Sequence, residues 1–205
     1  MKKHLLARSG QDVARFYDAK YKKDGYDAFR RGVWDDLVGI LEDHGGPFGP
    51  DKRLLDAGCG HGEFIDHIKD RVECTGIEIS PEASRLARAR LAGKAWIHNM
   101  DMSEVPRYYV GCFDYVTCFG ALEHTMDPNR TFAYLHGALV PGGVIVVLLP
   151  LEFEGCMSHI AAEKDNVTNE RFASPEEWVS VLGAGEPLTR GIIGQDSLLI
   201  YRRPF

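Results

Sequence analysis

From Asp12 to Asp43 apolar residues recur every three or four positions, which predicts two helices. Val13, Phe16, Tyr17 and Tyr21 form the stripe of the first. Phe29, Val33, Trp34, Leu37, Val38 and Leu41 form that of the second. "KKDGY" separates them, and "HGGPFGP", rich in helix breakers, ends the second. From Lys52 onward the pattern changes to short apolar runs alternating with amphipathic ones. "RLLDAG", "VECTGIEI", "KAWIHNM", "FDYVTCF" and "VIVVLLP" read as strands, the last apolar enough to be buried on both faces. Between the first two, "HGEFIDHIKD" puts Phe64, Ile65 and Ile68 on one helical face. Ser80 is a suitable N-cap with Pro81 at the first helical position, and Ala83, Leu86, Ala87 and Leu91 form a stripe up to Gly93. A further helix is expected over Asn129 to Leu139, stopped by "PGG".

Strands alternating with helices at this spacing predict an α/β fold with a parallel sheet and helices on both faces. The tail differs. Ser174-Pro175-Glu176-Glu177 is a capping box opening a short helix, and "EPLTRGII" and "DSLLIYRR" are close enough to form a terminal antiparallel hairpin. The expectation is one domain over 1–205, with N-terminal helices in 1–49, a ligand-binding core in 50–150, and a substrate loop and hairpin in 151–205. Residues 151–173 show no clear periodicity, as long functional loops often do.

Composition narrows the partners. The 205 residues, 44% hydrophobic and 26% charged, suit one globular domain with a sizeable core. A net charge of −6 argues against a broad electrostatic grip on nucleic acid. "MKKHLLARSGQD" has too short an apolar stretch for a signal peptide, and the run Val144 to Leu149 is far short of a membrane span. The five cysteines, at 59, 74, 112, 118 and 156, never occur as Cys-x-x-Cys and read as reduced thiols of a cytoplasmic protein without membrane contact.

The candidate chemistry begins at "LLDAGCGHGEF", residues 54–64, a strand running into a glycine loop and a helix. In open parallel sheets ligands bind beyond the carboxyl ends of the strands. Gly58, Gly60 and Gly62 follow G-x-G-x-G, whereas the dinucleotide fingerprint G-x-G-x-x-G would need glycine where Glu63 stands. No G-x-x-x-x-G-K-[ST] phosphate loop is present. Asp56, Glu78 and Asp101 are 22 and 23 residues apart, about one strand-helix-strand unit each, so all three carboxylates should converge along one edge of the sheet.

With these residues in view, the chain resembles the class I S-adenosylmethionine-dependent methyltransferases, closest to the small-molecule branch that includes the quinone-biosynthesis O-methyltransferases. "LLDAGCGHG" is similar to that family's first motif, "GIEIS" to its second, "NMDMSEV" to its third and "FDYVTCFGALEHTMDP" to its fourth; "ALVPGGVIVVLLP" is similar to the turn and strand that follow. The resemblance covers about residues 50–150. It implies a Rossmann-like, seven-stranded, mostly parallel sheet with an N-terminal helical extension, and S-adenosylmethionine as cofactor. It also implies a binding set of Asp56, Gly58, Cys59, Gly60, Gly62, Glu78, Ile79, Asp101, Met102 and Phe119, with one tyrosine of Tyr17, Tyr21 and Tyr26, the latter two favoured, folded over the methionine end. Glu78 would take the ribose hydroxyls, Asp101 the adenine amino group, the Met102 amide a ring nitrogen, and Ile79 the adenine face. Asp56 would lie near the methionine moiety. Glu78 as a solvated strand end and Asp101 as a cap of the helix after it remain open.

Methyl transfer from a sulfonium is an in-line displacement that needs chiefly alignment and exclusion of water. His124, in "GALEHTMDP", is the candidate catalytic base, with a structural role for the Glu-His pair as the alternative. His159 and Glu163 are weaker candidates. The [DNS]-P-P-[YF] sequence of base-modifying relatives is replaced here by "CFGALEH", and no magnesium-site pattern is found, so no metal is expected. The expected partner is a small-molecule methyl acceptor, with nucleic acid disfavoured and the chain a monomer or homodimer. RNA or protein methyl transfer, or cofactor binding without catalysis, are the alternatives.

Overall fold

The two predicted helices are α1 (Gly10–Asp24) and α2 (Trp34–Gly45). A computed structural model describes residues 9–24, 33–105, 109–150, 174–194 and 196–205; Tyr26, Phe29, His159 and Glu163, and the rest of the 151–173 loop, lie outside the described residues. Beyond α2 come β1 (Arg53–Ala57), α3 (Glu63–Ile68), β2 (Glu73–Glu78), α4 (Pro81–Leu91), β3 (Ala95–Asn99), β4 (Phe113–Phe119), α5 (Pro128–Gly137) and β5 (Leu139–Pro150). The chain closes with α6 (Pro175–Leu182), β6 (Thr189–Ile193) and β7 (Asp196–Arg202).

The strands form one seven-stranded sheet in the order β3-β2-β1-β4-β5-β7-β6. β1 to β5 are parallel, and β7 runs antiparallel to both β5 and β6. The period-two alternation of a strand explains how an unbroken apolar run serves two cores. Val144, Val146 and Leu148 of β5 face α2 and α3, while Ile145, Val147 and Leu149 face α5 and α6. Leu54 and Leu55 of β1 divide in the same way. One expectation is corrected. "PGG" does not separate helix from strand: α5 ends at Gly137, and β5 starts at Leu139 and carries Pro141-Gly142-Gly143 through an irregularity opposite Phe113 and Tyr115. Gly142 N–H and Gly143 C=O both bond to the Arg203 backbone there, which keeps the bulged segment in the sheet.

Strand order reverses between β1 and β4, so the loops after these strands diverge and leave a crevice at their carboxyl ends. The β3 edge is closed differently. Met100 N–H bonds inward to Glu78 C=O, so alternation turns the Ile97 carbonyl outward, where the Arg88 guanidinium takes it at 2.8 and 3.2 Å.

Candidate active site

A cavity of about 1050 Å³, counting its open mouth, fills the crevice at the carboxyl ends of β1, β2, β3 and β4. Its floor begins with the glycine loop. Gly58 and Cys59 both donate their N–H to Ile77 C=O, at 2.8 and 3.0 Å, which bends the loop back over β2. The Cys59 sulfur packs beneath the loop, against β2: a Cβ on Gly76 would sit 2.7 Å from it. Burial raises this thiol well above its ordinary range, so it is a packing group. Cys59, Cys74, Cys112 and Cys118 are all free thiols.

Asp56 and Glu78 end adjacent strands and are both buried. Thr117 Oγ1 on β4 donates to Asp56 Oδ1 at 2.8 Å. Burial pushes the Asp56 carboxyl up to about 7; the Thr117 bond opposes this and the Glu78 charge adds to it. Burial also raises Glu78 to about 7, although Ser80 N–H donates to Oε1 at 2.7 Å and Gly60 N–H to Oε2 at 3.0 Å. Asp101 follows β3 and does cap the short turn after it, accepting Ser103 N–H at 2.8 Å, yet it lines the cavity as well. Both roles open for this residue are therefore compatible. Gly58, Cys59, Gly60, Ile79, Met102 and Phe119 line the same cavity. So does Met100.

Gly62 is the exception. It is buried away from the cavity, at φ +80°, where a Cβ would lie 3.1 Å from Leu91 Cδ1 and 3.3 Å from Ala87 Cβ. Its bare Cα lets α3 and α4 approach each other, so a binding role is replaced by a packing one.

The roof is α1. Gly10, Val13, Tyr17 and Tyr21 lie at helical spacing on one stripe and all line the cavity. Gly10 rests against Asp101, whose carboxyl a Cβ at that position would strike. The Tyr21 hydroxyl rests on Gly60, where a Cβ would be 2.6 Å from Oη, and its ring meets His61 edge-on at 5.8 Å. Asp18, on the neighbouring face, fastens the helix: its Oδ1 accepts Glu82 N–H of α4 at 2.9 Å and the Ser80 hydroxyl at 3.4 Å. Trp34, Phe64 and Phe119 form an aromatic wall, Trp34 stacked on Phe119 with centroids 6.3 Å apart.

His124 also lines the cavity, in the turn Leu122–His124 after β4. Tyr17 meets its ring at 5.2 Å, and Glu123 Oε1 lies 3.7 Å from its Nε2. Burial, with a smaller effect of Lys20, pushes the imidazole down to about 3. Tyr17, placed behind Tyr21 and Tyr26 among the candidate tyrosines, lines the cavity one helical turn from Tyr21. Sequence reasoning missed Trp34, Phe64, His61 and Thr117 as cavity or supporting residues. Among the described residues, no group of three or more His, Cys, Asp or Glu is placed to hold a metal ion, and no helix is long and apolar enough to cross a membrane.

Comparison with known proteins is consistent with this geometry. The ubiquinone biosynthesis O-methyltransferase of Aromatoleum aromaticum is 36% identical over 98 residues, 46% of this chain and 42% of that protein. The chain spans only about a quarter to a half of the length of the curated relatives it matches. Geranyl diphosphate C-methyltransferase from Streptomyces coelicolor superposes with a TM-score of 0.71 at 17% identity, over 96% of this chain and 98% of that one. A Haloferax volcanii methyltransferase, solved as a complex with its Trm112 activator, gives 0.72 at 18% identity, over 92% and 98%. These two show the shared fold. The family described as "Methyltransferase domain" matches residues 26–184, well over half of the sequence, and the chain belongs to it.

Proposed function

We propose that this chain transfers a methyl group from S-adenosylmethionine to a small-molecule acceptor presented at the His124 end of the cavity. One observation carries the reading: the three strand-end positions Asp56, Glu78 and Asp101 line a single cavity with the glycine loop. The residues fit the cofactor. Its ribose hydroxyls supply donors to Glu78, its adenine amino group a donor to Asp101, and its ammonium a countercharge for buried Asp56.

When bound, the cofactor supplies an electrophilic methyl on a sulfonium that departs as a neutral thioether. The protein's work is alignment and dryness. In this reading α1 closes the cavity from above, and the wall of Trp34, Phe64 and Phe119 excludes water. His124 orients the acceptor as a neutral hydrogen-bonding imidazole. Burial holds its conjugate acid near 3, which favours an orienting or structural role over that of a general base in this reading. Enclosure by α1, the named relatives and the net charge of −6 support a small acceptor.

The test is calorimetric titration of S-adenosylmethionine and, separately, NAD, followed by incubation of the loaded protein with methyl-labelled cofactor and fractionated cell extract. Cofactor binding without NAD binding, with label in the small-molecule fraction, is the expected result. Label confined to RNA or protein would overturn the acceptor class, and failure to bind the cofactor would overturn the whole reading.

A further inference from the structure

The amino-acid end of the cofactor carries a cation and an anion. On the reading above Asp56 answers the cation, while the motif residues named so far bring no side-chain donor for the carboxylate. We propose that His61, held in one tautomer by Arg90, is that donor; the inference rests on the cofactor reading given under Proposed function.

The tautomer follows from the partner. Arg90 Nη2 on α4 lies 2.9 Å from His61 Nδ1. A guanidinium only donates, so Nδ1 is the acceptor and the ring hydrogen sits on Nε2. Nδ1 faces Arg90 on α4, and the same ring lines the cavity and meets Tyr21 edge-on at 5.8 Å. The Tyr21 hydroxyl, against Gly60, is the second donor at this end. An imidazole N–H and a phenol O–H thus flank the glycine that lets a ligand come close.

Arg90 does more than fix the ring. It lies 3.7 Å from Glu63 and 4.0 Å from Asp66, so it offsets the acids of α3 beside the place where the ligand's carboxylate would sit. Glu63 lines the cavity too, and without Arg90 it would repel that carboxylate. On the same reading the adenosine end would lie against Ile79 and Asp101, which follow β2 and β3, rather than against His61 in the glycine loop. The proposal is therefore specific: His61 and Arg90 select for the amino-acid end and are indifferent to the adenosine.

Methylthioadenosine has the adenosine and the thioether but lacks the amino-acid carboxylate, which makes it the control ligand. Calorimetry on His61→Ala should show S-adenosylmethionine and S-adenosylhomocysteine weakened about tenfold to a hundredfold, as for loss of a hydrogen bond to a charged group. Methylthioadenosine affinity should be unchanged. His61→Gln, whose amide nitrogen reaches close to the Nε2 position, should recover part of the loss, and Arg90→Met should weaken only the ligands that carry a carboxylate. An equal loss for all three ligands in His61→Ala would make the effect one of loop structure and overturn the proposal. Unchanged S-adenosylmethionine affinity in that variant would overturn it as well. A wild type that binds none of the three ligands would overturn the cofactor reading itself, a result distinct from either of these.

Discussion

The floor of the cavity is made of strand ends, its roof of one helix. Asp56 and Glu78 are held by the β ladder, and each is tied further by a bond from another segment, Thr117 to the first and Gly60 to the second. The roof touches the floor at a few points: Gly10 on Asp101, Tyr21 on Gly60, Tyr17 on His124, and Asp18 on the start of α4. The floor therefore selects the ligand, because its polar groups cannot move without breaking the sheet. The roof governs enclosure and release, because a few contacts can open together.

The largest effect that separates the two belongs to Glu78. Glu78→Gln keeps the shape but removes a charged acceptor, and S-adenosylmethionine affinity should fall about tenfold to a hundredfold. The melting temperature at pH 8 should not fall, since a buried carboxyl raised to about 7 does not favour folding when ionised. Calorimetry with thermal denaturation checks both. Unchanged affinity would remove the ribose role.

A pH titration sharpens the same point. The folded, ligand-free protein holds Asp56 and Glu78 near 7, above their ordinary values of 3.8 and 4.5, so between about 4 and 7 it binds more protons than the unfolded chain. Their contribution to stability is fully present below about 4 and is lost as pH rises through 7. His124 acts in the opposite sense: its folded value is depressed, so its contribution is present above 6.5 and lost as pH falls toward 3. A ligand ammonium and ribose hydroxyls favour the ionised carboxylates. Cofactor affinity should rise with pH up to about 7 and then level off, by at most about tenfold per pH unit for each proton released. Calorimetry at pH 6 in buffers of different ionisation enthalpy measures the released protons.

The glycines compare floor and roof within one loop. Gly62→Ala places a Cβ at φ +80° against Leu91 and Ala87, and should lower stability by about 1–2 kcal/mol while leaving cofactor affinity within about twofold. Gly60→Ala meets a similar backbone penalty at φ +54°, and its Cβ also strikes the Tyr21 hydroxyl, so it should weaken binding too. Denaturant unfolding paired with titration separates the variants. Parallel losses of affinity would mean that Gly62 serves the ligand after all.

These pairs show what could be read from the sequence. The strand ends could, because period-two runs of β-formers fix where each strand stops, and Asp56, Glu78 and Asp101 recur at that boundary. Gly60 and Gly62 look alike in sequence, since nothing local tells whether a bare Cα faces a ligand or another helix. The same limit hid Thr117, an ordinary strand former whose hydroxyl supports Asp56, and Arg90, 29 positions from the histidine it orients. Tyr17 was within reach, being one turn from Tyr21 on the same stripe. "PGG" misled because the usual meaning of a breaker is a turn, whereas here the antiparallel partner β7 and the Arg203 backbone hold it in a bulged strand.

Asp18 is the next smaller test. Its carboxylate supplies an N-terminal bond of α4 from outside that helix, while Ser80 supplies another from within, accepting Ala83 N–H. Asp18→Ala should cost about 1 kcal/mol. Hydrogen exchange should speed up over α1 and leave β1 and β2 unaffected. Exchange rising equally over α1 and the floor would mean that the two regions open as one unit.

The smallest effect belongs to the middle of the roof. Tyr17 touches His124 ring to ring, and an aromatic pair of this kind contributes about 0.5–1.5 kcal/mol beyond its burial. Tyr17→Phe keeps the ring and should leave turnover within about twofold. Tyr17→Leu removes the edge that holds the imidazole, so kcat/KM for the acceptor should fall roughly two- to tenfold, the same energy expressed as a ratio. Cofactor affinity should be unchanged in both, because the floor carries it. A Tyr17→Leu variant that instead loses cofactor affinity and keeps its acceptor kinetics would place this tyrosine on the cofactor, and the division between a selecting floor and an orienting roof would fail at the residue where the two meet His124.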